Sequence, residues 1–234
     1  MHIVNAGWLP ALFWDGRAES LEDQALQPVV NRVEMGEDWD HVVEKLSRHP
    51  DYPILFAEAF GDGRISPDRA VKAIAQYERT LISSESRFDK FLNGKGSYSA
   101  VEQLGFELFN NEIGLCFHCH GTVLLTDNQF HNNGLDSVPA DSGLAAITGK
   151  SFDLGKFKSP SLRNVEFTAP YMHDGRFDTL EEVLEFYSDG IHKTALTDPL
   201  LRARRHTLTA AQQRAIVAFL KTLSDAKFMR THRP

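Results

Sequence analysis

"GLCFHCHG", residues 114–121, holds both cysteines of this 234-residue chain, three positions apart, with His120 directly behind the second. A Cys-x-x-Cys-His run fits covalent haem attachment. Each thiol can add to one haem vinyl group, the i, i+3 spacing on a helical turn matches the two vinyls, and the next imidazole reaches the iron from the same side. Competing readings of the pair are weaker. A thioredoxin-like redox pair needs a βαβ setting, which the pattern around it does not offer. A zinc site needs four ligands, so His118 or His131 would have to join without a second Cys-x-x-Cys in the chain. A disulfide across two intervening residues would crosslink almost nothing. Cys116, Cys119 and His120 are therefore read as the attachment and axial residues of a haem c.

Helical patterning surrounds this motif. Upstream, Val101, Leu104, Gly105, Leu108 and Phe109 form a stripe at helical spacing that runs into the cysteines. Downstream, Thr209 and Gln212 make a capping box ahead of Ile216, Phe219, Leu220 and Leu223. These are the two helices a c-type cytochrome domain crosses tightly, and Gly105 lets the backbones approach. A second box, Thr179 with Glu182, precedes the stripe Leu180, Val183, Leu184, Tyr187. Further toward the N-terminus, Ser20 caps a segment with Leu21, Ala25 and Leu26, and Trp39, Val42, Val43 and Leu46 repeat at helical spacing. Ser66 and Pro67 open a helix that places Val71, Ile74 and Leu81 on one face. Residues 121–170, rich in Gly, Asn, Pro and Asp, read as a long ordered loop. The fold class is all-α, with cytochrome c-like helical domains and long irregular loops. The linker "NGKGS" (93–97) divides a domain over residues 1–92 from one over residues 98–234.

Bulk composition excludes several classes. A formal charge of −7 leaves no basic footprint for nucleic acid. No apolar run approaches the roughly 20 residues that span a bilayer. The opening residues lack the basic and apolar regions of a secretory signal peptide.

In order along the chain, "FWDGR", "QALQPVVNRVEMG", "GLCFHCHG", "LLTDNQFHNNG", "KSPSLRNV" and "TAPYMHDGRFDTLEEVLEFY" resemble the bacterial di-haem cytochrome c peroxidases, a superfamily that includes the maturation enzyme MauG. The resemblance implies two haem c domains. An N-terminal haem reacts with hydrogen peroxide, and a C-terminal haem receives electrons from a small cytochrome or copper protein. The Cys-x-x-Cys-His here falls at the second haem. The family's first such motif lies upstream of "FWDGR", so residues 1–92 are expected to be the truncated remainder of the peroxidatic domain. A true single-haem protein is the alternative.

Residue by residue, the resemblance places Trp14 between the haems as an electron bridge. Gln24 and Glu34 stand over the open face of the peroxidatic haem, where a carboxylate can move the protons of bound peroxide. For the remaining haem the sixth ligand forks. Met172, 52 residues after His120, is the thioether an electron-transfer cytochrome uses. The family's distal position instead falls on Tyr187, where the peroxidases proper often carry Met and MauG carries Tyr. Arg163 and His173 are expected near the haem, Arg163 as a propionate partner. Calcium is implied at the backbone carbonyls of Thr168 and Pro170. The resemblance further implies a periplasmic enzyme and leaves room for a homodimer. Three functions follow as expectations: a cytochrome c peroxidase, a MauG-like oxidase of protein tryptophan, or a mono-haem electron carrier.

Overall fold

The computed structural model describes residues 3–232, which divide into two compact units. The first comprises Asn5–Phe13 and Arg17–Leu81. It carries helices α1 (Leu21–Val30), α2 (Trp39–Arg48), α3 (Tyr52–Phe60) and α4 (Pro67–Thr80). Ser20 Oγ accepts the Asp23 N–H at 3.0 Å to start α1, and Ser66 Oγ accepts the Arg69 N–H at 3.3 Å to start α4. Its apolar contacts fall into two clusters, one of Ala6, Leu12, Ala18, Leu21 and Ala75, the other of Phe56, Ile65 and Ala70. The buried face of α4 is Ala70, Val71, Ala75 and Glu78. Ile74, expected inside, is 41% exposed, because its small alanine neighbours sit on the side that α1 covers.

The second unit takes residues 3–4, Trp14–Gly16 and residues 82–232. Its helices are α5 (Arg87–Leu92), α6 (Ala100–Phe109), α7 (Phe117–His120), α8 (Ala145–Thr148), α9 (Leu180–Glu185), α10 (Pro199–Ala203), α11 (Ala210–Lys221) and α12 (Ala226–Thr231). A short antiparallel ladder joins β1 (Phe130–His131) to β2 (Phe157–Lys158), with Phe130 opposite Lys158. The expected boundary at residues 92–98 therefore moves to Leu81/Ile82. The reason lies in α5: Phe88 is buried edge-on to Phe219, and its N–H donates to Thr222 O at 3.1 Å. The "NGKGS" segment is a turn inside this unit.

Helices α6 and α11 cross at Gly105. A Cβ there would lie 1.9 Å from the Ala215 carbonyl oxygen and 2.9 Å from Phe219 Cβ, so only glycine admits this approach. Leu108, Phe109, Ile216, Phe219, Leu220 and Leu223 fill the core around the crossing. Val101 and Leu104, also on the expected stripe, are 47% and 43% exposed. All three capping boxes of α6, α9 and α11 close reciprocally, as Ser99–Glu102, Thr179–Glu182 and Thr209–Gln212. The loop between α7 and α9 is irregular, as its composition predicts, and its one ladder is only two residues long.

Candidate functional site

Cys116 precedes the single turn α7, and the Cys119 and His120 N–H groups donate back to Cys116 O at 3.3 and 2.9 Å. That turn brings Cys116, Cys119 and His120 onto the wall of one cavity of about 570 Å³ in the second unit. The volume falls within the range of about 300–1,000 Å³ typical of cofactor pockets. His120 is oriented by its own loop: its Nδ1 lies 3.0 Å from Leu125 O, so this nitrogen carries the proton and Nε2 is left with its lone pair. Burial holds the imidazole below its ordinary pKa, in the neutral form that binds a metal. Burial also pushes the Cys116 thiol up to about 12. Leu115 and Gly114 line the same wall, and the carbonyl of Cys119 is tied to the long loop by Asp127 N–H at 2.7 Å and Ser159 Oγ at 3.1 Å. His118 turns away to Glu112, 3.3 Å distant.

Both arms of the sixth-ligand fork reach this cavity. Met172 and Tyr187 line it, and Asn133 stands beside both, its Nδ2 donating to Tyr187 OH at 3.4 Å and lying 3.6 Å from Met172 Sδ. Tyr187 gets there through a change of helix type. The α9 stripe continues into a π-helical turn, Phe186–Gly190, which Tyr187 occupies. Such turns often mark functional positions. Burial pushes the Tyr187 hydroxyl up to about 12, while the Asn133 donor and the Arg204 charge pull the other way. Arg204, 7% exposed, lines the cavity and donates to the carbonyls of His206 and Ile113.

The remaining sequence candidates divide. Trp14, His173, Thr168 and Pro170 line the cavity, with His173 stacked on Phe157 at 3.6 Å between ring centroids. Gln24 and Glu34 belong to the first unit, where Glu34 is exposed and accepts from Asn31 Nδ2 at 2.6 Å. Arg163 has a different task from the one expected. It is 3% exposed, its guanidinium makes two bonds to Asp89 (3.0 and 2.8 Å), and it donates further to Ser83 O and Val123 O. This saturated cation braces the loop to α5 and is absent from the cavity wall. Two carbonyls, from Thr168 and Pro170, supply only part of the six to eight oxygens, or about that number, that calcium takes.

Zinc at the cysteines finds three clustered candidate ligands among the described residues, without Cys116, where a structural site takes four. Cys119, Asp127 and His131 do cluster, with ligand atoms within 4.8 Å of one another. His131, however, has both ring nitrogens engaged, Nε2 to Asp127 at 2.7 Å and Nδ1 to Asp198 at 2.8 Å. The Cys119 sulfur and, against the pull of burial, these carboxylates raise its pKa to about 10. Sequence reasoning missed Lys158, Asn133 and Arg204 as cavity residues. Each is a lone polar residue in a loop, on a two-residue strand or at a helix end, and nothing in its neighbours' spacing marks it.

Known proteins resemble this chain in sequence and fold. The family described as di-haem cytochrome c peroxidase matches residues 1–97. The methylamine utilization protein MauG of Methylophilus methylotrophus is 35% identical over 224 residues, covering 94% of this chain and 66% of the relative. Cytochrome c551 peroxidase of Nitrosomonas europaea is 33% identical over 95% of this chain and 64% of its own length. The crystal structure of a MauG-like protein associated with microbial copper homeostasis superposes with a TM-score of 0.90, at 36% identity over 99% of this chain and 76% of that one. The chain belongs to the di-haem cytochrome c peroxidase/MauG family. It spans about two thirds of the length of the curated relatives it matches. As in that family, the fold is helical, and the sequence resemblance to it extends across both units. Among the described residues no helix is long and apolar enough to cross a membrane.

Proposed function

We propose that this member of the di-haem peroxidase/MauG family works in the periplasm as part of a cytochrome c peroxidase, with its second unit carrying the haem that receives electrons from a small cytochrome or copper protein. The observation that supports this most directly is the convergence of two thiols and a neutral, loop-oriented imidazole on one cavity of about 570 Å³. Cys116 and Cys119 would hold the haem through thioethers, and His120 Nε2 would be its proximal ligand. When bound, such a group supplies a one-electron redox centre whose potential follows its axial ligands and burial.

The chain's own residues set the conditions for that chemistry. Leu125 O fixes the His120 tautomer and ring plane, so the imidazole needs no reorganisation on ligation. Ile216, Leu220 and Leu184 close one side of the cavity and exclude water. Trp14, on the same wall, offers an aromatic path for electrons out of the site. In the first unit, Gln24 and Glu34 are the candidates for peroxide handling. Reduction of hydrogen peroxide to water consumes two electrons and two protons, and the Glu34 carboxylate can take the proton of the attacking oxygen and return it to the leaving one. Calcium at the Thr168 and Pro170 carbonyls, completed by water, belongs to the same reading.

One feature supports a MauG-like oxidation of protein tryptophan as a second reading. Tyr187 enters the cavity from a π-helical turn, and the Asn133 donor and Arg204 charge offset part of the burial that opposes a phenolate ligand there. The test common to both readings is covalent attachment. Chain matured in the periplasm should keep its Soret band after denaturation and extraction with acidic butanone, with one haem mass per Cys-x-x-Cys-His present. Cys116→Ser with Cys119→Ser should release all colour to the solvent. Colour lost from the unaltered chain would overturn the proposal.

A further inference from the structure

Lys158 is 1% exposed on β2, yet its Nζ has no hydrogen-bond partner among the described residues. It lines the cavity that Cys116, Cys119 and His120 share, and its backbone N–H is fixed to Trp14 O at 2.8 Å. Burial draws its ammonium down to about pKa 8, against the opposing charge of Asp127. Asp127 itself is committed, one oxygen to His131 Nε2 and the other to the Gln129 N–H. A buried cation without a partner costs several kcal/mol, so this wall is unfinished until an anion arrives. The other cations in the neighbourhood are better satisfied. Arg163 is neutralised by Asp89 and His131 by two carboxylates, while Arg204, without a carboxylate partner among the described residues, is at least held by two carbonyls.

We propose that Lys158 Nζ binds a propionate carboxylate of the haem attached at Cys116 and Cys119. The inference rests on the haem reading above. A haem anchored by its vinyl edge brings two carboxylates to the same cavity, and Lys158 is a buried cation there whose whole ammonium group is without a hydrogen-bond partner among the described residues. The ion pair would be shielded from solvent, and its hydrogen bond would be of the charge-assisted kind. It also takes over the role that the sequence assigned to Arg163.

The cation raises the reduction potential, because positive charge beside the haem disfavours the ferric state. Haem-loaded Lys158→Met should therefore shift the Fe(III)/Fe(II) equilibrium about tenfold toward ferric, a fall of about 59 mV for one electron. Its propionate bending mode in the resonance Raman spectrum should move as well. Lys158→Arg should restore both to near the unaltered values, which a merely space-filling role would not require. Unchanged potential and unchanged propionate mode in Lys158→Met would overturn the proposal. Should that variant fail to load haem, the unaltered holoprotein decides: a crystal structure should place Nζ within about 4 Å of a propionate oxygen, and a lysine directed elsewhere refutes it. Haem retained after acidic butanone in the same preparations separates failure here from failure of the haem reading.

Discussion

Helix α11 has two working faces, and they are built on different principles. One face meets α6 at Gly105 and is dry and close-packed, with Ala215 and Phe219 fully buried against it. The other contributes Ile216 and Leu220 to the cavity, whose remaining walls come largely from loops and short turns. Every position of the first face is set by volume, so substitution there is felt as strain. Positions around the cavity are set by what the cavity must hold, and several are strained or unpaired in the protein alone. Met172 and Leu115 take left-handed backbone at φ 70° and 64°, and Lys158 Nζ has no hydrogen-bond partner among the described residues. The packed face gives the unit stability, while the cavity side carries polar groups that a purely structural core would not tolerate.

The largest expected effect falls on the packed face. Gly105→Ala inserts a methyl group 1.9 Å from a backbone oxygen, and no rotamer can relieve that. The helices must separate, at a cost of about 3 kcal/mol or more. With about 2–4 °C per kcal/mol for a chain of this size, thermal unfolding followed by circular dichroism should drop by at least about 6 °C. A variant as stable as the unaltered chain would show that the crossing is loose and the contrast between the two faces false.

Much of the packed face was legible in sequence. Thr209/Gln212 and Thr179/Glu182 announce helix starts through local hydrogen bonds that need no tertiary information. Gly105 among apolar residues beside a Cys-x-x-Cys-His run marks the crossing, and the motif itself locates the cavity floor. Periodicity fails where the covering neighbour is unknown. Ile74 and Leu104 satisfy the stripe but face outward, because small residues on the other side of the helix allow closer contact. The domain boundary moved because Phe88 and Asp89, just before a glycine-rich turn, are bonded to partners 131 and 74 residues away, Phe219 and Arg163. Likewise, "KSPSLRNV" contains two cations, and nothing local says which is braced and which is free. That depends on Asp89 alone.

Those two cations give the second test, smaller once the exchanged methionine and entering water relieve part of the lost pair. Arg163→Met leaves the Asp89 carboxylate, only 12% exposed, without its guanidinium, and breaking such a pair costs about 3–5 kcal/mol. Burial pushes Asp89 up, but the Arg163 bonds and Ser86 pull it further down, leaving it below its ordinary value. A depressed carboxylate contributes stability above its unfolded pKa and loses it as the pH falls. In the variant, protonation instead relieves the buried charge. Urea unfolding should therefore show a wide gap between the two proteins at neutral pH that narrows toward about pH 4. The haem optical spectrum should hardly change, since Arg163 does not line the cavity. A strong spectral change with little loss of stability would exchange the roles assigned to Arg163 and Lys158.

The smallest effect on stability, and the most informative about the cavity, concerns Tyr187 and Met172. Both side chains reach the cavity, and Asn133 stands between them. A thioether needs no help from a donor to bind iron, whereas an anionic oxygen gains from one. Burial opposes an anionic oxygen at Tyr187, but Asn133 Nδ2 and the Arg204 charge offset part of that cost, which a thioether at Met172 would not use. Tyr187→Phe in the haem-loaded chain should change the ferric visible spectrum and raise the reduction potential, because loss of an anionic donor disfavours Fe(III). Met172→Leu should leave both nearly as they were. Each substitution nearly conserves volume and should cost less than about 1.5 kcal/mol, so an unaltered helical circular dichroism signal rules out unfolding as the cause. Asn133→Leu sharpens the comparison. It removes the donor from both side chains, and with Tyr187 as ligand it should shift the spectrum in the same preparation in which Met172→Leu does not. The opposite pattern, with Met172→Leu altering the spectrum and Tyr187→Phe silent, would make this a His/Met haem and remove the feature that favours tryptophan oxidation.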